Sequence, residues 1–66
     1  MTAHDKVIYI IQQLELSDSK VARAIQKGVS TTTHKRMKLR GAKFSEEEFT
    51  RLRDFYLEKL KKIEML

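Results

Sequence analysis

The sequence predicts a small all-α domain of about four helices, the last of them long. Three observations support this fold class: apolar residues recur at helical spacing near both ends of the chain, no proline interrupts them, and helix-capping residues and two glycines separate the periodic segments. No linker, repeat or low-complexity stretch divides the 66 residues. We therefore expect a single domain over residues 1–66.

The first helix is expected at about residues 3–15. Its apolar face follows i, i+3, i+4, i+7 spacing and consists of Val7, Ile8, Ile10, Ile11 and Leu14. The run "VIYII" also has a high β propensity. Helix is favoured because this run lies inside a longer periodic segment and no other segment could pair with a strand.

The segment "LSDSKVARAIQ" predicts a turn and a short second helix. Three residues at its start, Ser17, Asp18 and Ser19, are suitable N-caps. The apolar face of this helix consists of Val21, Ala22 and Ile25.

Glycines are expected to bound the third helix. Gly28 is expected to end the second helix, because glycine adopts positive φ without a Cβ penalty. Ser30 or Thr31 can then cap a third helix that runs to about Leu39, and Gly41 can stop it.

The C-terminal helix is expected at about residues 45–65. Ser45 and Glu48 fit a capping box, and Phe44 and Phe49 occupy the positions of a hydrophobic staple. An apolar stripe continues for about twenty residues through Phe49, Leu52, Phe55, Tyr56, Leu60 and Ile63.

Positive charge is concentrated in the middle of the chain. Residues 17–44 carry eight Lys or Arg against Asp18 as their only acid, which is a larger excess than the +5 of the whole chain. Small basic proteins are common, so the net charge alone does not indicate a function. The concentration of positive charge in one segment predicts a surface that contacts a negatively charged partner.

Composition also limits the classes of function. Without cysteine there is no disulfide and no thiolate metal site, and His4 and His34 alone do not suggest a metal site. The sequence indicates no nucleophile–base pair, and a domain of this size has little room for a pocket. We therefore expect no catalysis, cofactor or small-molecule ligand. The N-terminal apolar run is too short for a signal peptide or a membrane span, so we expect a cytoplasmic protein that does not bind membranes.

The stretch "STTTHKR" has the chemistry of a helix that enters the major groove of DNA. Small polar groups suit the N-terminal turn, where base edges lie closest, and cations suit the flanks, where phosphates lie. Three consecutive threonines are otherwise a poor helix start, because their hydroxyls compete for the backbone. The competing interpretation is a solvated helix with ordinary surface charges.

Residues of about 18–40 resemble the helix-turn-helix of the Cro and lambda-repressor-like family. The resemblance lies in "SKVARAI" for the scaffold helix and "GVSTTTHKRMKLRG" for the turn and recognition helix, followed by a helix that begins "SEEEF". It implies a repressor-like, sequence-specific transcription regulator of a phage or mobile element. Such a protein reads double-stranded DNA with its third helix, here about residues 31–39, as a homodimer, and would be associated with the nucleoid.

The resemblance also implies roles for individual residues. The base contacts would be Thr31, Thr32, Thr33, Lys35 and Arg36. The phosphate contacts would be Ser19, Lys20, Lys27, Lys38, Arg40 and Lys43. The residues that pack the motif together would be Val21, Ala22, Ile25, Val29 and Met37.

His34 occupies a position where the family has an aliphatic residue. We expect it to be a partly buried core residue, with a DNA contact or a pH-sensitive group as alternatives. A register slip of one residue would exchange the inward and outward roles of Lys35 and Met37.

The C-terminal helix is longer than the closure of a four-helix core requires. Its surplus apolar surface predicts a homodimer interface formed by Phe55, Tyr56, Leu60, Ile63 and Leu66. The alternative is that this helix folds back over the first one and only covers the core.

Two other functions remain open from the sequence. The same scaffold could serve as a protein-interaction module, or as an accessory DNA-bending factor of a phage or mobile element. The triple threonine favours DNA, because an acidic protein partner would call for more arginine and an aromatic anchor.

Overall fold

The computed structural model describes all 66 residues and contains four α-helices and no strand. The helices are α1 (Ala3–Leu14), α2 (Asp18–Ile25), α3 (Val29–Arg36) and α4 (Glu46–Glu64), with a 3-10 turn at Leu39–Gly41 between α3 and α4. The all-α class and the long C-terminal helix are confirmed, and the "VIYII" run is helical.

Side-chain caps begin α1 and α4 at the residues where the chain turns. Thr2 and Asp5 form a capping box on α1, in which the Asp5 amide donates to Thr2 Oγ1 at 3.1 Å. Ser45 and Glu48 form the box predicted on α4, where the Glu48 amide donates to Ser45 Oγ at 3.2 Å and the Ser45 amide donates to Glu48 Oε1 at 2.9 Å. Each box satisfies amides that the helix itself leaves unpaired.

The turn between α2 and α3 differs from the sequence prediction. The residue in the left-handed region is Gln26, at φ 60°, so Gln26 and not Gly28 ends α2. Gly28, at φ −68° and ψ 151°, is the N-cap of α3, and neither Ser30 nor Thr31 has that role.

The third helix is also shorter than expected. It ends at Arg36, and Lys38 and Arg40 both have positive φ before Gly41 at φ 77°. The chain bends there because three of four successive residues leave the right-handed helical region.

The core lies where α4 packs against α1 and α2. It consists of Val7, Ile11, Val21, Ala24, Ile25, Phe44 and Leu52, and Ala22 is also buried. The predicted core positions Val21, Ala22 and Ile25 are confirmed. The predictions for Val29, His34 and Met37 are wrong, because all three side chains are exposed: α3 contributes only Thr32 to the interior.

The second half of α4 projects beyond this core. Every residue from 57 to 66 is exposed, and the molecule measures 44 Å along its longest axis against 24 and 19 Å along the others. None of the helices combines the length and the apolar character needed to span a bilayer.

Candidate nucleic-acid interface

Thr32 is buried in the protein, and Thr33 is half-buried with its hydroxyl directed at α2. The Thr32 side chain is completely buried, and its hydroxyl donates to the Gly28 carbonyl at 3.0 Å. The Thr33 hydroxyl lies 2.8 Å from Asp18 Oδ2 and 3.1 Å from the Val29 carbonyl, with one proton to donate between them. The prediction of a base contact at Thr32 is therefore wrong, and Thr33 serves to join α3 to α2.

Arg36 joins α3 to α2 through an ion pair with Asp18. Its Nε donates to Asp18 Oδ1 at 2.6 Å and its Nη2 donates to Oδ2 at 3.0 Å, so the pair is bidentate. Hydrogen bonding from Arg36 is the main cause that lowers the pKa of Asp18, with Thr33 acting in the same direction. The predicted base contact of Arg36 would require this pair to open.

Glu48 pairs with two further cations of the basic segment. Its side chain is 1% exposed, and its Oε2 accepts a hydrogen bond from Lys35 and forms an ion pair with Lys27 at 3.1 Å. Burial alone would raise the pKa of Glu48, but hydrogen bonds from Lys35, the Ser45 amide and Lys27 outweigh it and lower that pKa to about 2. The carboxylate is thus ionised in the interior and joins α4 to α3 and to the α2–α3 turn.

This cluster changes the roles predicted for two lysines. Lys35 is 18% exposed and directed at Glu48, so the structure gives it a structural role in place of a base contact. Lys27, predicted to contact a phosphate, is also paired with Glu48, although 41% of its side chain is exposed.

The outward face of α3 consists of Ser30, Thr31 and His34, all exposed, followed by the exposed side chain of Met37. Ser30 and His34 lie opposite Thr32 on the helix, since two residues correspond to about 200° of rotation, and Thr31 lies on an exposed flank about 100° from Thr32. Of the five predicted base contacts, only Thr31 lies on this face. Sequence reasoning missed Ser30 and placed His34 in the core. The sequence does not show that Thr32 is buried. Once this is known, helical periodicity determines which residues of α3 point outward.

His34 has a defined tautomer in its neutral form. Its Nδ1 lies 2.8 Å from the Ser30 carbonyl oxygen, which can only accept, so Nδ1 carries the proton. The Nε2 atom of the neutral ring is therefore an unprotonated acceptor on an exposed side chain.

Several lysines and arginines that precede or follow this face along the chain have no acidic partner. Lys38, Arg40 and Lys43 follow α3, and Lys20 lies in α2; all four are exposed and have no carboxylate within 4.0 Å. Ser19 is exposed as well. Arg23, which sequence reasoning did not select, is a further exposed and unpaired cation on α2.

His4 is a buried residue that the sequence pattern did not reveal. It is 3% exposed, stacks on Phe44 with ring centroids 5.5 Å apart, and its Nδ1 accepts the Phe44 amide hydrogen at 3.1 Å. Burial lowers the pKa of His4, and Lys38 and Lys43 lower it further against the opposing effect of Asp5. His4 thereby fixes α1 to the segment that carries two of the unpaired lysines. No group of His, Cys, Asp or Glu is arranged to hold a metal ion.

A cleft of about 410 Å³ lies where α4 leaves the core. Leu14, Leu16, Phe55 and Tyr56 form its apolar walls, and three cations without acidic partners, Lys20, Arg23 and Lys59, lie around them. Among the residues predicted to form a dimer interface, Phe55 and Tyr56 are half-buried against the core. Leu60, Ile63 and Leu66 lie beyond it and are 52%, 62% and fully exposed.

The sequence matches no protein-family model, and comparisons with curated proteins and with solved structures found no similar chain. Function is therefore argued from the residues and geometry described above.

Proposed function

We propose that this protein is a sequence-specific double-stranded DNA-binding transcription regulator, repressor-like, that reads the major groove with the outward face of α3 and acts as a homodimer. One observation carries this proposal. Thr32, Thr33, Lys35 and Arg36 are engaged within the protein, whereas the remaining exposed polar side chains of α3 are two small hydroxyls and an imidazole, and unpaired cations follow them in the sequence.

The outward face suits base edges. Ser30 and Thr31 offer hydroxyls that can donate or accept, and the Thr31 methyl suits the methyl group of thymine. His34 Nε2 in the neutral ring accepts hydrogen bonds, so it complements the exocyclic amino groups of adenine or cytosine. The first turn of α3 has no side-chain cap, which leaves its amide groups available to a phosphate.

The flanking cations suit the DNA backbone. Lys38, Arg40 and Lys43 have no internal acid to neutralise, in contrast to Lys35 and Arg36. Each cation that contacts a phosphate releases counterions, so binding would fall steeply as salt rises. The chain's net charge of +5 favours association with DNA in the same way.

A homodimer would supply two recognition helices. Dimeric helix-turn-helix proteins place them about 34 Å apart, one turn of DNA, so that a two-fold operator matches a two-fold protein. The exposed apolar residues of the projecting part of α4 supply surface for such an association.

The test is an in-vitro selection on random duplex DNA, with the affinity of the selected sites followed across salt concentration. A palindromic or pseudo-palindromic consensus with steep salt dependence is expected. Salt-dependent binding without a consensus would favour an accessory DNA-bending role instead, and no binding at moderate salt would favour a protein-interaction module. The Thr31→Ala variant serves as a probe of the reading face, and Glu47→Gln serves as a matched control distant in sequence from it.

A further inference from the structure

The cleft of about 410 Å³ beside α4 has apolar walls that the core covers only in part. The walls are Leu14 at the end of α1, Leu16 in the turn before α2, and Phe55 and Tyr56 on α4. The last three are half-buried against the core, and the two rings stand edge to face with centroids 5.1 Å apart. The volume lies within the roughly 300–1,000 Å³ of small-molecule sites, so the cleft can hold a short alkyl chain or an aromatic ring.

Three cations lie around these walls, and none has an acidic partner. Lys20 and Arg23 belong to α2 and Lys59 belongs to α4, and no carboxylate lies within 4.0 Å of any of them. The Lys59 ammonium lies 4.8 Å from the centre of the Phe55 ring, so this charge stands at the aromatic wall. Burial raises the pKa of the Tyr56 hydroxyl and the charge of Arg23 opposes that rise, so the guanidinium lies near the same wall. Like charges beside apolar walls repel each other and attract an anion.

The orientation of α2 keeps these cations away from its own acid. Asp18 is bound by Thr33 and Arg36 of α3. Lys20 and Arg23 lie about 200° and 140° from Asp18 around the helix, on the opposite side of α2. The cleft therefore has a positive charge that the chain itself does not neutralise, and it faces away from the contact between α2 and α3.

We propose that the cleft binds a small amphipathic carboxylate, with its apolar body against the four walls and its carboxylate among the three cations. Arg23 can donate two parallel hydrogen bonds to a carboxylate, and the two ammonium groups add charge beside it. The walls and the cations select different halves of one ligand, so neither a simple anion nor an apolar cation satisfies the site. This inference goes beyond the proposed function and does not depend on DNA binding.

An NMR titration with decanoate tests the site. Saturable shifts are expected for the amides of the cleft, with nuclear Overhauser contacts from the alkyl chain to the rings of Phe55 and Tyr56. Acetate lacks the apolar body and decyltrimethylammonium has the opposite charge, so neither should give saturable shifts there at the same concentrations. Shifts centred on the exposed Leu60 and Ile63, or equal binding of decyltrimethylammonium, would show unspecific adsorption of the alkyl chain and overturn the proposal.

Charge-removing variants test the role of the cations. Arg23→Gln and Lys59→Gln should each weaken decanoate binding about three- to fivefold, the upper part of the range for exposed ion pairs, and the double variant about tenfold. Lys61→Gln is the matched control, because it removes the same charge from α4 at about 200° from Lys59. All three positions are exposed, so the variants should fold. An equal loss in Lys61→Gln would show that only net charge matters and would overturn the assignment.

Vesicles of phosphatidylglycerol separate a free ligand from a lipid surface. The native protein should bind decanoate without binding these vesicles through the cleft. Vesicle binding that Arg23→Gln abolishes, without binding of decanoate, would assign the cleft to a membrane surface and overturn the proposal. These measurements omit DNA, so a failure to bind DNA would leave their outcome unaffected.

Discussion

Lys35 and Glu48 form a buried ion pair that joins α3 to the first turn of α4. The Glu48 carboxylate is 1% exposed, forms a second ion pair with Lys27 and accepts a hydrogen bond from the Ser45 amide, so one side chain connects the α2–α3 turn, α3 and α4. The position of α3, and with it the direction of its outward face, depends on this carboxylate.

Glu48→Gln should lower the free energy of unfolding by roughly 3 kcal/mol. The amide keeps the shape of the side chain but leaves the Lys35 ammonium partly buried without its counter-charge, and breaking a buried pair typically costs about 3–5 kcal/mol. The lower end applies because Lys27 is 41% exposed and can reach water. Urea unfolding at pH 7 measures the change, and Glu47→Gln, whose pair with Arg51 is exposed, should alter it by less than about 0.5 kcal/mol. Equal effects of the two variants would contradict the structural role of Glu48.

Protonation of Glu48 should lower the free energy of unfolding at low pH. Because the pKa of Glu48 is lowered from 4.5 in the unfolded chain to about 2 in the folded one, its contribution is complete above pH 4.5 and is lost as the pH falls through about 2. Between pH 5 and 2 the native protein should lose more stability than Glu48→Gln. Parallel curves for the two proteins would show that Glu48 does not titrate in this way.

The Glu48 cluster explains what the sequence could and could not predict. Capping residues and apolar spacing are local signals, so the four helices, the Ser45 box and the α2 core positions followed from them. The orientation of α3 did not, because Thr32 replaces an apolar residue at its inward position and Lys27 and Lys35 turn to a carboxylate of another helix. The sequence of the basic segment alone therefore favours an outward surface, whereas three of its cations, Lys27, Lys35 and Arg36, are paired internally.

A second pH effect should appear closer to neutrality and should arise from His4. Its Nδ1 accepts the Phe44 amide hydrogen, which the protonated ring cannot do, and its pKa is lowered below the usual 6.5. Stability should thus be complete above pH 6.5 and should fall as the pH drops below it, because the unfolded chain takes up the proton first.

The measurement is the unfolding free energy between pH 7.5 and 5, with the His4 ring followed by NMR. His4→Asn retains an acceptor for the Phe44 amide and removes the titrating group, so its stability should be nearly flat over this range, although lower at pH 7.5 because the ring no longer packs on Phe44. A His4 midpoint at or above 6.5 would contradict the buried neutral ring.

Neighbouring threonines of α3 should respond to substitution in opposite ways. Thr32→Ala removes a buried methyl group and the hydrogen bond to Gly28, so it should destabilise the fold by about 1–2 kcal/mol. Thr31→Ala lies on the exposed face and should change stability by less than about 0.5 kcal/mol. Under the proposed function, Thr31→Ala should weaken binding to the selected site, whereas Thr32→Ala should bind it normally once the unfolded fraction is taken into account. The reverse result would show that α3 is rotated from the orientation described here.

Two further substitutions should separate base reading from phosphate contact. Lys38→Ala should weaken binding to all duplexes about equally and reduce the salt slope by about one, because it removes one unpaired cation. His34→Ala should instead cost about 1–3 kcal/mol on the selected site and little on random DNA, because it removes the Nε2 acceptor. Repeating the selection with His34→Ala should relax the consensus at one base pair, where the native protein selects adenine or cytosine. A consensus unchanged by His34→Ala would show that the imidazole does not read a base, even if the protein binds DNA through its cations.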